Sequence, residues 1–148
     1  MNTEDKTINS ILEGLNISND RYRYIVSYLQ RTIKDYKGQL IDIIKEIPLN
    51  LKGNERYFAI FYASNSFTQP FYEMDDKERT HFVLNIANGL KLSDKSVEMT
   101  AEYISDTVGV QMNENIPTIE ILKGIINSKF TDIEKYYMIF IFGIVLED

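Results

Sequence analysis

The 148-residue chain has no cysteine, no tryptophan, a single histidine and only three prolines. Without cysteine there can be no disulfide, no thiolate metal site and no cysteine nucleophile, and the absence fits a reducing compartment such as the cytoplasm. The lone histidine, His81, follows Asp75, Asp76 and Glu78. No recognisable nucleophile or oxyanion loop accompanies it, so it gives no acid–base site. Gly-rich phosphate loops, HExxH and other metal-ligand spacings are all missing. The expectation is therefore no catalytic, cofactor-binding or metal-ligating residue. The N-terminus, Met1 to Lys6, is polar and has no apolar stretch behind it, so no secretory signal is visible and a cytoplasmic location is expected.

Long apolar runs are also scarce. The longest, Tyr136 to Leu146, falls far short of the roughly 20 residues that cross a bilayer, so no membrane association is expected. A segment apolar on every side has to be enclosed on every side. The residues before it favour a helix over a strand, because Thr131-Asp132-Ile133-Glu134 has the form of a capping box. Gly143 within the run suits a place where a neighbouring helix comes close. A central C-terminal helix from Asp132 to about Leu146 follows.

With 44% hydrophobic and 26% charged residues, the composition is that of a globular protein, and the length suits one domain spanning 1–148. Ile8, Ile11, Leu12 and Leu15 carry helical spacing. A longer stripe, Tyr22, Ile25, Val26, Leu29, Ile33, Tyr36, Leu40, Ile44 and Ile47, holds phase up to Pro48, with Gly38 as the expected kink. Asn54 to about Ser64 forms the third helix, and Ser64 to Pro70 reads as irregular loop. Asp75 with Glu78 forms a second capping box, opening a helix that ends near Gly89. Ser93 opens the next, which is expected to stop at Gly109 before a polar loop, Gln111 to Asn115. Pro117 then starts a helix carrying Ile119, Leu122, Ile125 and Ile126. The pattern predicts an all-α, single-domain bundle of about six to seven helices around a buried C-terminal helix.

Charge is distributed unevenly. Through Met74 nine acids balance nine bases; from Asp75 onward 13 acids face 7 bases, so the whole net charge of −6 belongs to the second half. Within that half Asp94, Glu98, Glu102 and Asp106 stand four residues apart, and such a row forms one slanting stripe on a helix. Like charges at this spacing cost a few tenths of a kcal/mol per pair, about 1 kcal/mol for three. Val97, Ala101, Ile104 and Val108 are expected on the core-facing arc, and Tyr103 beyond the acids on the side away from it. A solvated face relieved by neighbouring lysines is the plainer reading of such a row. As a site, it is a partner-binding surface of Asp94, Glu98, Glu102, Tyr103 and Asp106, an acidic stripe that takes the place of phosphate in the basic cleft of another protein.

Arg21 to Arg31 interleaves arginine with tyrosine, a pattern suited to nucleic acid or to a protein interface. Neutral charge in this half and the lack of nucleic-acid motifs favour an ion pair with the acidic stripe, internal or in a homodimer, over direct nucleic-acid binding. Size, acidity and the missing catalytic groups are shared with bacterial immunity proteins, which neutralise a toxin by binding it. The expectation is such an inhibitor, directed at a basic toxin domain such as a nuclease. The alternative is a self-associating structural or regulatory adaptor.

Overall fold

In the computed structural model, which describes residues 3–36 and 40–145, every regular element is a helix. In chain order they are α1 (Thr3–Gly14), α2 (Asn19–Tyr36), α3 (Leu40–Asn50), α4 (Asn54–Asn65), α5 (Thr68–Glu73), α6 (Asp76–Gly89), α7 (Asp94–Glu114), α8 (Thr118–Ile126) and α9 (Asp132–Val145). No strand occurs among the described residues.

The last helix is central, as its composition requires. It packs against α4, α5, α6, α7 and α8, with α4 its main neighbour. Tyr137, Met138, Ile139, Phe140, Phe142 and Ile144 are at most 1% exposed. Burying each such side chain contributes about 1.5–3 kcal/mol, so this one helix supplies a large part of the core. Its start is fixed by the capping box: the Glu134 amide donates to Thr131 Oγ1 at 3.2 Å and the Thr131 amide to Glu134 Oε1 at 2.9 Å. Its end is served by α5, where Thr68 Oγ1 donates to the Gly143 carbonyl at 3.3 Å and the Tyr72 hydroxyl to the Val145 carbonyl at 2.8 Å. Those carbonyls belong to the last turn and have no partner within the helix. The second capping box is also present, with the Glu78 amide 2.8 Å from Asp75 Oδ1 and the Asp75 amide 3.2 Å from Glu78 Oε1.

Four boundaries differ from the sequence reading. The expected kink at Gly38 lies outside the described residues, but the stripe on either side of it does not form one continued helix. Asn50 Nδ2 donates to Tyr28 Oη at 2.9 Å, although the two are 22 residues apart. An unbroken helix would separate them by about 33 Å. Thus α3 returns along α2. Pro48 does not end its helix but lies inside α3, in its last turn. There the missing N–H frees only the Ile44 carbonyl, and the Leu51 amide still reaches the Ile47 carbonyl at 2.9 Å.

The stretch read as loop around Phe67 contains α5. Pro70 occupies its first turn, where a backbone N–H is not needed. Finally, α7 passes through Gly109 and the expected polar loop to Glu114, and Asn115 follows in the left-handed conformation (φ 54°). Glycine weakens a helix interior by about 1 kcal/mol but does not by itself end it. Asn115, which tolerates left-handed backbone, follows directly on the last helical residue.

Candidate functional site

The helix α7 carries the acidic row, and its orientation is set by polar residues as much as by apolar ones. Ser93 caps it, accepting from the Ser96 amide at 3.1 Å. Thr100 is fully buried and Ile104 nearly so, with Ser96, Val97, Tyr103, Thr107 and Val108 half-buried around them. Threonine can occupy this face because its hydroxyl is satisfied within the helix. Thr100 Oγ1 donates to the Ser96 carbonyl at 2.7 Å, and Thr107 Oγ1 to the Tyr103 carbonyl at 2.7 Å. The inward arc is therefore rotated relative to the expected one. Ala101 is exposed, and Thr100 takes the central place.

Asp94, Glu98, Glu102 and Asp106 are all exposed. At about 100° per residue, the middle of their row stands roughly 160° from the middle of the pair Thr100 and Ile104, so the acids form the outermost ridge of α7. From Asp94 to Asp106 the row rises about 18 Å. Among the described residues none of the four takes part in an ion pair; the pairs present are Arg21–Glu55, Arg23–Asp20, Arg56–Asp132 and Arg79–Asp76. Among the described residues no lysine pairs with the row.

Tyr103 is not placed beyond the acids away from the core. Its ring packs edge-on against Phe130, with centroids 5.5 Å apart, and its hydroxyl lies beside Gly124 of α8. The ridge thus has a fixed aromatic at its edge. Two residues that sequence reasoning passed over flank the acids in the open: Met99 at 47% and Val110 at 44% exposure. At about 100° per residue both stand roughly 160–180° from Ala101, so the helical spacing of the expected arc already turned them outward.

The arginine–tyrosine face does not meet the ridge within the chain. Arg21 instead grips Glu55 of α4 through two hydrogen bonds, Nε to Oε2 and Nη2 to Oε1, both 2.8 Å. That bond holds the Glu55 carboxyl below the usual carboxylate range. The guanidinium also lies 4.6 Å from the Tyr24 ring centre. Tyr22 packs edge-on against Phe58 and Tyr62, so part of the aromatic face serves the core.

His81 is exposed on α6 and borders an open groove of about 890 Å³ with Met74, Phe82 and Leu84. Among the described residues no group of three His, Asp or Glu side chains is placed to hold a metal ion, and no helix is long and apolar enough to cross a membrane. No protein-family model, curated protein or solved structure matches the chain.

Proposed function

We propose that the chain is a non-enzymatic binding protein that offers the acidic ridge of α7 to a basic protein. In its specific form it is a cytoplasmic bacterial immunity protein that neutralises a cognate toxin domain, a nuclease being the best fit. The observation that carries this reading is the state of the row: four carboxylates, all exposed, with no ion pair among the described residues, on the side of the helix opposite its buried face. Such a row lowers stability by about 1 kcal/mol until a cationic surface covers it.

The mechanism is occlusion. Asp94, Glu98, Glu102 and Asp106 pair with lysines and arginines that otherwise hold substrate phosphates, with the ring of Tyr103 beside them. Met99 and Val110 supply apolar contact at the margin of the same surface. The negative field of the second half steers a basic partner into place and makes association salt-dependent.

The test is co-purification of the tagged protein from its own cell at low and at high salt. A basic toxin domain should be retained at low salt and released by Glu98→Lys with Glu102→Lys. Retention indifferent to both salt and those reversals would sink the ridge mechanism. If only the protein itself is recovered and light scattering shows an oligomer, the chain is a self-associating adaptor instead.

A further inference from the structure

A second surface lies apart from the α7 ridge, where the end of α3, the end of α6 and the start of α9 enclose a groove of about 580 Å³. That volume falls within the range of small-molecule sites. Its floor is apolar and closed: Ile44, Leu90 and Tyr136 are at most 8% exposed. Its rim is apolar and open, with Leu49 at 83% and Ile133 at 41% exposure.

Two lysines and one carboxylate line it. Its single lining carboxylate, Asp132, is already served within the chain, accepting from the Tyr57 hydroxyl at 3.3 Å and lying 3.5 Å from Arg56 Nη1. Arg56 Nη1 also donates to the Tyr136 hydroxyl at 2.6 Å, so the aromatic end of the floor is tied down. Lys45 and Lys91 line the same groove, and neither takes part in an ion pair among the described residues. A chain of net charge −6 thus presents two unpaired ammonium groups around an apolar trough.

The backbone singles out one of the two. Four described residues have positive φ: Gly53, Asn16, Asn115 and Lys91. Glycine and asparagine are the types that tolerate this conformation. Lys91 (φ 60°) is the exception, at the C-terminal cap of α6, where its amide donates to the Asn88 carbonyl at 3.0 Å and the Leu92 amide to the Ala87 carbonyl at 3.1 Å. Glycine is the usual residue at such a cap, and a strained lysine at a groove mouth points to a role for its side chain.

We infer that this groove binds an amphiphilic carboxylate, its apolar chain lying over Ile44, Leu90 and Tyr136 and its anionic end held by Lys91 and Lys45. The inference does not depend on the α7 ridge. It is tested by titrating isotope-labelled protein with decanoate, and with decanol as the uncharged control, while following backbone amide NMR shifts. Decanoate should move the amides of Lys45, Leu49, Lys91 and Ile133 saturably and bind about tenfold more tightly than decanol, the gain expected of one charge-assisted contact. Lys91→Gly with Lys45→Gln should abolish that preference. Lys91→Gly alone relieves the left-handed strain, so it should weaken decanoate binding with a melting temperature no lower than the parent's. Shifts confined to other helices, no shifts, equal affinity for decanol, or a preference surviving both substitutions would each overturn the assignment. So would concentration-dependent shifts of these amides without ligand, which would give the groove to a second copy of the chain.

Discussion

Gly143 of α9 and Ser64 of α4 are so close that a Cβ at position 143 would stand 2.9 Å from the Ser64 Cβ, with the Phe61 carbonyl oxygen at 3.0 Å. The two most extensively packed helices meet here almost backbone to backbone. Alanine in a helix interior is favoured over glycine by about 0.5–1 kcal/mol, but forcing a methyl into a packed core costs about 1–3 kcal/mol. The clash outweighs the propensity gain, so Gly143→Ala should lower stability. Gly109, inside α7, has nothing within 4 Å of its absent Cβ, so Gly109→Ala should raise stability by up to about 1 kcal/mol. Urea unfolding of the two variants should give midpoint shifts of opposite sign. A loss in Gly109→Ala would mean that α7 does not run through that residue.

Tyr137 makes stability depend on high pH. It is 1% exposed, and burial pushes its phenol up to about 12 from the usual 10. The fold favours the neutral form, so this contribution is complete below pH 10 and is lost as pH climbs from 10 toward 12. Two units correspond to about 2–3 kcal/mol. Urea midpoints at pH 8 and pH 11.5 should differ less in Tyr137→Phe than in the parent. Equal losses in both would show that the phenol titrates without unfolding cost.

The parts of this fold that sequence makes legible are those set by local, short-range rules. Thr131 with Glu134 and Asp75 with Glu78 are read from spacing alone, and Gly143 from its place in an apolar run. Tertiary context decides the rest. The α2–α3 stripe keeps helical phase across a reversal, because two packed helices can both turn their apolar sides to the same core. Pro70 looks like a breaker until it is known to fall in a first turn. The acidic row is equally legible, since i, i+4 spacing fixes a stripe whatever surrounds it. The orientation of Tyr103 is not, because it depends on Phe130 and Gly124 from elements that only the fold brings near.

At low pH the α9 capping box should be the sensitive point. The Glu134 carboxyl is held below its usual value chiefly by the Thr131 amide. A lowered carboxylate gives stability that is present above its unfolded pKa, near 4.5, and is lost as pH falls through the folded value. Glu134→Gln keeps an acceptor for the Thr131 amide but cannot titrate. Its midpoint should therefore change less than the parent's between pH 7 and pH 3. Thr131→Ala removes the other half of the box and should cost about 1 kcal/mol at every pH. A Gln variant as acid-sensitive as the parent would assign the acid response to other carboxylates.

The acidic ridge sets stability against binding, which separates a functional row from a merely solvated one. Replacing Glu98 and Glu102 by Gln removes every like-charge i, i+4 contact along Asp94, Glu98, Glu102 and Asp106 without reversing any charge. Each contact costs a few tenths of a kcal/mol, so the variant should gain up to about 1 kcal/mol, and the gain should shrink as salt screens the parent's repulsion. The same change removes two of the four exposed carboxylates, so capture of the basic partner should weaken and lose part of its salt dependence. Denaturant midpoints at low and high salt, measured beside retention of the partner, give both quantities from one pair of proteins. Higher stability with unchanged retention would leave the ridge as a surface under mild repulsion and move the interface to another face.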